Sequence, residues 1–238
     1  MTEEFYFYDQ TALLDRLSKG LNKRGQEVVF LVGAPMSAPI LSGKPGVPGV
    51  EGIIDLIRHE FDDDVAQVAA LNQALEAAGP NRYQDAFVFL QGRRGQQTAN
   101  EIVRDAVLAA RVFTTGPIPA IVGNSAANDD SYRLIDLDNR GWVLSPGTEA
   151  LGKLVTSYPD RFGRSILTTN FDPLIEVAIQ RAFGNYFRTT LHADGNLSQT
   201  EGTGCHVIHV HGYWYGSDTL HTGRQLGQSR PRLKLSRL

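Results

Sequence analysis

The sequence predicts an α/β fold, a Rossmann-like parallel sheet flanked by helices with a helical insert. Three observations predict it. Apolar runs at 28–32, 165–169 and 206–210 are typical of buried parallel strands, segments of helical periodicity separate them, and polar or glycine residues follow each run. Because ligands of such sheets bind outside the carboxyl ends of the strands, the three strand ends predict one crevice for a nucleotide-like ligand.

Each element follows from its local pattern. Leucines at helical spacing predict a first helix over 10–21, and a proline- and glycine-rich loop over 38–52 leads into a helix that starts at Val50. The later predicted elements are helices at 65–78, 83–93, 99–113, 146–158 and 173–183, with further strands at 186–191 and 206–210. We interpret about 61–145 as the helical insert and 114–140 within it as connection.

Composition narrows the classes of protein. The net charge of −3 and the pI of about 6.1 give no overall attraction to nucleic acid or anionic lipid. A single cysteine, Cys205, excludes an internal disulfide and a four-cysteine zinc site, which predicts a reducing compartment and no metal. An acidic N-terminus and the lack of an apolar run of about 18 residues predict neither a signal peptide nor a membrane span, so we expect a cytoplasmic protein.

The turn after the first strand has two interpretations. Gly33, Ala34 and Ser37 can present backbone N–H groups and a hydroxyl to a pyrophosphate. Glycine also ends many strands simply to turn the chain, and Pro35 removes one amide donor. From these residues alone the second interpretation is favoured.

Asn170 and Asp172 lie between a strand and a helix. Asp172 directly precedes Pro173, which is the ordinary pattern of a helix N-terminal cap. Asn170 lies in the turn itself, where its amide offers a donor and an acceptor suited to orienting a ribose and a nucleophilic water.

His209 and His211 alternate with Val210 and therefore point to one side of their strand. A metal site is one alternative, but two histidines without a nearby cysteine or carboxylate make a poor zinc set. His211, beside Gly212, is the better candidate for a general base. His206 and His221 we place on the surface or in loops.

The order of these motifs resembles the sirtuin family. Its glycine-alanine-glycine turn, glycine-isoleucine-proline loop, threonine-glutamine-asparagine-isoleucine-aspartate turn and histidine-glycine pair have counterparts here. These are Gly33-Ala34-x-x-Ser37, Gly46-Val47-Pro48, Thr168-Thr169-Asn170-Phe171-Asp172 and His211-Gly212. In their detailed sequence these motifs are most similar to the sirtuin-like domains of bacterial anti-phage defence systems. The resemblance covers about 26–221.

The resemblance implies an NAD-binding fold of the DHS-like NAD/FAD-binding type and cleavage of NAD⁺. It makes Asn170 the residue that holds the ribose and a water, and His211 the general base. Asp172 would bind the nicotinamide amide, and Gly33, Ala34 and Ser37 would line the phosphates. The implied cofactor-binding set is Gly33, Ala34, Ser37, Gly46, Pro48, Thr169 and Asp172.

Three departures from the family pattern affect the expectation. Sirtuin deacylases usually carry a four-cysteine zinc module, which one cysteine cannot form, and this favours NAD⁺ hydrolysis over deacylation. Pro35 replaces the second glycine of the turn. After His211 the chain is short, so we expect it to lack strands that hold the adenosine half, and its basic tail, about 222–238, is interpreted as a solvated terminus.

Three functions from different classes remain open. The first is an NAD⁺ glycohydrolase in anti-phage defence, a homo-oligomer or a domain controlled by a partner ATPase, an Argonaute-like protein or another defence protein. Nucleic acid would then be contacted only through the partner, and no membrane is involved. The second is a non-catalytic sensor of NAD⁺ or ADP-ribose, and the third is an NAD-dependent protein deacylase.

Overall fold

The computed structural model describes residues 9–22, 28–112, 129–192, 197–198 and 201–227. Four parallel strands form one sheet in the order β1-β2-β4-β3. The strands are β1 (Phe30–Val32), β2 (Ser165–Thr168), β3 (Tyr186–Thr190) and β4 (Cys205–His209). This sheet, with helices around it, confirms the predicted α/β fold with a Rossmann-like parallel sheet.

The helices agree closely with the periodicity of the sequence. They are α1 (Gln10–Asn22), α2 (Val50–His59), α3 (Val65–Ala77), α4 (Arg82–Leu108), α5 (Asp129–Leu137), α6 (Pro146–Ser157), α7 (Pro159–Phe162), α8 (Leu174–Arg181) and α9 (Gly223–Leu226). Helix α4 is kinked at Gly95, where φ is 87°, so the sequence pattern of two helices there corresponds to one kinked helix. Among the described residues, no helix is long and apolar enough to cross a membrane.

Strand register brings three carboxyl ends to the same level. Val32 of β1 pairs with Thr168 of β2, and Thr168 pairs in turn with His209 of β4. The residues that follow these strands therefore emerge side by side at one edge of the sheet.

Two apolar clusters support this edge. Helices α6 and α8 pack on the sheet through one apolar cluster, which contains Leu151, Ile175 and Ile179 of the helices and Ile166 and Val207 of the strands. The second cluster joins the helices of the predicted insert to the opposite side of α8, where Leu174 and Val177 belong to it. Helix α8 lies between the two clusters, and its start is thereby fixed at the edge of the sheet.

The longest difference from the sequence prediction lies within the predicted helical insert. We predicted connection over 114–140, but Asp129–Leu137 forms α5, with Ile135 fully buried. Its apolar positions are few, and flanking Asp and Asn residues conceal the helical period. Residues 113–128 lie outside the described part of the chain. Of the predicted solvated tail over about 222–238, Gly223–Leu226 forms α9, and residues 228–238 also lie outside the described part.

Candidate active site at the carboxyl ends of the strands

A cleft of about 250 Å³ opens where β1, β2 and β4 end. The loop before α2 and the first turn of α4 close its other side. Seven of the predicted site residues line it: Ala34, Ser37, Pro48, Thr169, Asn170, Asp172 and His211. The other lining residues are mainly apolar, with one phenol among them: Val47, Gly49, Val50, Ile53, Tyr83 and Phe171.

Asn170 is held by both hydrogens of its side-chain amide. Nδ2 donates to the carbonyl oxygen of Gly33 at 3.2 Å and to Oγ of Ser37 at 2.9 Å. The backbone N–H of Asn170 donates to Oγ1 of Thr168 at 3.0 Å. Since Nδ2 has two hydrogens, the group that Asn170 can offer to a ligand is the acceptor Oδ1.

Asp172 supports the start of α8 and also lines the cleft. Its Oδ1 accepts from the backbone N–H of Leu174 at 3.1 Å, which supports the first turn of α8, and the side chain also lines the cleft. Burial raises the pKa of its carboxyl, although hydrogen bonds from Ser37 and Leu174 oppose the shift. Ser37 therefore links the Asn170 amide to the Asp172 carboxyl.

The turn that carries Ser37 is fixed from α6. Ser145 at the N-cap of α6 donates from Oγ to the Met36 carbonyl oxygen at 2.9 Å, and Thr148 donates to the same oxygen. Within the turn, the N–H groups of Met36 and Ser37 donate to Gly33 and Ala34. These amides are thus already engaged, and the contact of Gly33, Ala34 and Ser37 with phosphates stays a prediction.

Gly46 supports the cleft without lining it. A Cβ on Gly46 would lie 2.4 Å from the backbone of Pro39, so no larger residue fits this crossing of the loop. The crossing lets Val47 N–H donate to the Ser37 carbonyl oxygen at 2.8 Å, which places Pro48 in the cleft wall.

His211 reaches the cleft from the turn after β4. Its ring lies 6.4 Å from the ring of Phe171, centroid to centroid. Gly212 follows with φ of 93°, and a Cβ there would lie 2.7 Å from the carbonyl oxygen of Asp218. Both facts require glycine, and they set the direction in which His211 leaves the strand.

An ionic cluster of His209, Glu176, Arg188 and Asp136 lies beneath Asn170. His209 Nδ1 lies 2.8 Å from the carbonyl oxygen of Asn170, and its Nε2 lies 2.9 Å from Oε1 of Glu176. Arg188 donates to the same Oε1 at 2.6 Å and to Oδ2 of Asp136 at 3.0 Å. Although burial opposes ionisation, Arg188 and His209 lower the pKa of Glu176 to about 2.

Asp136 anchors the far end of the ionic cluster in α5. Besides Arg188, it accepts from Tyr213 at 2.5 Å, from the indole of Trp214 at 3.2 Å and from Tyr215 at 3.2 Å. The cluster thus joins the backbone of Asn170 to α5 and to the chain that follows Gly212.

We placed His206 and His221 on the surface or in loops. That prediction was wrong for His206, which is buried on β4, whereas His221 does lie in a loop but is buried there. His206 lies on β4, stacks on Phe187 at 4.2 Å and lies 2.6 Å from Oγ1 of Thr189. His221 stacks on Phe87 at 3.6 Å between centroids, with the planes 3° apart. Burial, with a smaller contribution from His211, lowers the pKa of His221 to about 3. Both rings pack on aromatic side chains. His206 begins an apolar run that we predicted as a strand, whereas no local pattern around His221 indicated its contact with Phe87.

Sequence reasoning missed Glu176 and Tyr83. Glu176 occurs among Leu174, Ile175 and Val177, and a carboxylate inside an apolar helical stretch needs a buried cationic partner. That signal was available in the sequence, but its partner Arg188 was not identifiable. For Tyr83 the sequence offers only the start of a helix. Among the described residues, no three His, Cys, Asp or Glu side chains are grouped to hold a metal ion.

A comparison with known protein families concerns the site residues that lie after β1 and the loop before α2. Residues 164–229 match the family model of the SIR2-like domain. The SIR2-like match includes Asn170, Asp172 and His211 and covers less than a third of the chain; the turn at Gly33 and the loop at Pro48 lie outside it. No curated protein shows significant similarity to the chain. The match supports the sirtuin resemblance and is compatible with an NAD-related function.

Proposed function

We propose that this chain is an NAD⁺ glycohydrolase, which cleaves NAD⁺ to nicotinamide and ADP-ribose. The observation that carries the proposal is the fixed amide of Asn170, whose Nδ2 is engaged by Gly33 and Ser37 so that Oδ1 is left for a ligand. Asp172 and His211 line the same cleft. An oriented acceptor, a buried carboxyl and an imidazole are the groups that this hydrolysis needs.

The reaction breaks one bond and forms another without oxidation or reduction. The bond between the ribose carbon and the pyridinium nitrogen breaks, and its electron pair neutralises the nicotinamide ring as it leaves. Asn170 Oδ1 orients a ribose hydroxyl or the attacking water. The oxygen of the water bonds to the ribose carbon, and a proton of the water passes to His211. Asp172 holds the carboxamide, and the apolar lining limits competing water.

The biological setting is part of the proposal and rests on the family resemblance. It is anti-phage defence in the cytoplasm, in which depletion of NAD⁺ stops growth of the infected cell. A homo-oligomer, or a partner ATPase, Argonaute-like protein or other defence protein, controls the activity. Nucleic acid would be sensed by that partner.

The test is NAD⁺ consumption by the purified protein, with nicotinamide and ADP-ribose quantified by chromatography. We expect Asn170→Ala and His211→Ala each to lower kcat by about 10²–10⁴, because each removes a group that acts on the reacting atoms. The matched controls are Asn72→Ala, a residue of α3 that hydrogen-bonds Arg58, and His59→Ala, whose side chain is 70% exposed. Both controls should retain wild-type rates.

Other outcomes identify the other functions. Calorimetric binding of NAD⁺ without nicotinamide release would replace the hydrolase with a sensor. Turnover that depends on an acyl-lysine peptide and yields O-acyl-ADP-ribose would replace it with a deacylase. Equal turnover by wild type and by both cleft variants would contradict the proposed site.

A further inference from the structure

Of the described residues that the loop before α2, helix α2 and helix α4 contribute to the cleft lining, only Tyr83, at the start of α4, has a polar side chain. Its Oη lies 3.0 Å from Nδ1 of His221. A phenol can donate or accept, so what it offers a ligand depends on where its own proton points. That direction follows from the hydrogen bonds on the other side of His221.

The chain of hydrogen bonds is anchored at Asn100, whose amide orientation is determined by its partners. Nδ2 donates to the carboxylate of Asp218 at 2.9 Å, and Oδ1 accepts from the backbone N–H of Thr219 at 3.2 Å. A carboxylate only accepts and an N–H only donates, so the oxygen of Asn100 must face Thr219.

The remaining protons then follow in order. Thr219 Oγ1 lies 3.1 Å from Oδ1 of Asn100, so the Thr219 hydroxyl donates there. Because that hydroxyl has one hydrogen, Oγ1 accepts from Nε2 of His221, 2.7 Å away. His221 is stacked on Phe87 and buried, which favours the neutral ring, so its Nδ1 has no hydrogen and accepts the proton of Tyr83.

We propose that Tyr83 is a ligand-binding residue that presents only acceptor lone pairs to the cleft and binds a hydroxyl or amide N–H of the ligand. The inference rests on the proposed function, because NAD⁺ offers such donors on its ribose and its carboxamide. Asn170 Oδ1 is a second acceptor in the lining of the same cleft, so the cleft selects a ligand rich in donors. Burial raises the pKa of Tyr83, so the phenol keeps the proton that it gives to His221.

The first measurement needs no ligand. Nitrogen chemical shifts of His221 in the ¹⁵N-labelled protein should show a neutral ring with hydrogen on Nε2. Hydrogen on Nδ1 would overturn the proposal whatever the protein does to NAD⁺, because Tyr83 would then have to accept from His221.

The second measurement is kinetic and uses Tyr83→Phe. We expect KM for NAD⁺ to rise about five- to tenfold with kcat within about twofold of wild type, because one neutral hydrogen bond to the bound ligand is lost. Tyr215→Phe is the matched control, since it also removes a phenol hydrogen bond, to Asp136, but lies outside the cleft lining. An unchanged KM in Tyr83→Phe overturns the inference while the hydrolase remains.

Nicotinic acid adenine dinucleotide identifies the donor, because it lacks the carboxamide N–H. If Tyr83→Phe abolishes the preference of the wild type for NAD⁺ over this analogue, Tyr83 binds the carboxamide. If the variant weakens both ligands equally, Tyr83 binds a ribose hydroxyl. If the wild type neither binds nor cleaves NAD⁺, the proposed function fails and the ligand assignment of Tyr83 fails with it, whereas the proton on His221 Nε2 is decided independently.

Discussion

His209 and His221 each hydrogen-bond a residue that lines the cleft, Asn170 and Tyr83 respectively, and both are buried, with 0% and 2% of their surface exposed. Their partners differ completely. His209 lies between a carbonyl oxygen and the Glu176 carboxylate, so both of its nitrogens face acceptors. His221 lies among aromatic rings and two hydroxyls, one of which donates to it and one of which accepts. Burial alone therefore does not decide what a histidine contributes, and its hydrogen-bond partners do.

The two histidines belong to two different kinds of support for the residues that line the cleft. The sheet side, which holds Asn170, is supported by the ionic cluster. The insert side, which holds Tyr83, is supported by hydrogen bonds among the uncharged side chains of His221, Thr219 and Asn100, and this chain of bonds ends at the carboxylate of Asp218. We expect the ionic side to respond most strongly to loss of a charge and the neutral side to respond to gain of one.

Glu176→Gln should have the largest effect on stability. It removes the negative charge that Arg188 and His209 share, and Asp136 remains as the buried carboxylate partner of Arg188. We expect the free energy of unfolding to fall by about 3–5 kcal/mol, the usual consequence of breaking a buried ion pair. Urea denaturation at pH 7 measures it.

Glu76→Gln is the control for this change, since Glu76 is exposed on α3. It should alter the free energy of unfolding by less than about 0.5 kcal/mol. A loss in Glu176→Gln no larger than in the control would mean that the ionic cluster contributes no net stability.

Mild acid should destabilise the neutral side through His221. Its pKa is about 3 in the folded protein and about 6.5 in the unfolded chain. Between these pH values the unfolded chain therefore binds a proton on His221 that the folded protein does not bind. The stability contribution is complete above about pH 6.5 and is lost as the pH falls toward 3. Between pH 7 and pH 5 this costs about 2 kcal/mol, and His221→Gln should remove that part of the pH dependence measured by urea denaturation.

The contribution of His221 between pH 7 and pH 5 can be separated from those of Glu176, Asp172 and His206. Glu176, whose lowered pKa also stabilises the protein at higher pH, loses its contribution only below about pH 4.5. Asp172, with a raised pKa, acts in the opposite direction, and His206, with a lowered pKa, acts in the same direction as His221 but is retained in the variant. His59→Gln, an exposed histidine, is the control. An unchanged pH dependence in His221→Gln would show that His221 accepts a proton while folded.

Features of the fold that depend on the local sequence pattern were predictable. The parallel strands followed from apolar runs, and the turn after β2 placed Asn170 at the edge of the sheet. The histidine-glycine pair placed Gly212 directly after His211, and its φ of 93° requires glycine at this position. These features depend on a few consecutive residues, which is why one sequence suffices to find them.

Features that depend on distant partners were not predictable. Glu176 is bound to Arg188 of another element, and Tyr83 is bound to His221, 138 residues away. Whether a buried polar residue is charged or neutral depends on such partners. The burial of His221 follows from Phe87 and Phe171, whose approach a single sequence does not encode in any local period.

A tyrosine-to-phenylalanine substitution on the ionic side and on the neutral side tests the comparison with the smallest expected effects. Tyr83→Phe leaves Nδ1 of His221 buried without a donor, and we expect the free energy of unfolding to fall by about 1–3 kcal/mol. Tyr215→Phe removes one donor from Asp136, which keeps Arg188, Tyr213 and Trp214, so about 0.5–1 kcal/mol should be lost. Urea denaturation of the two variants at pH 7 decides the order. If Tyr215→Phe costs more, the ionic cluster depends on each of its donors, and the neutral side is the one that tolerates a missing hydrogen bond.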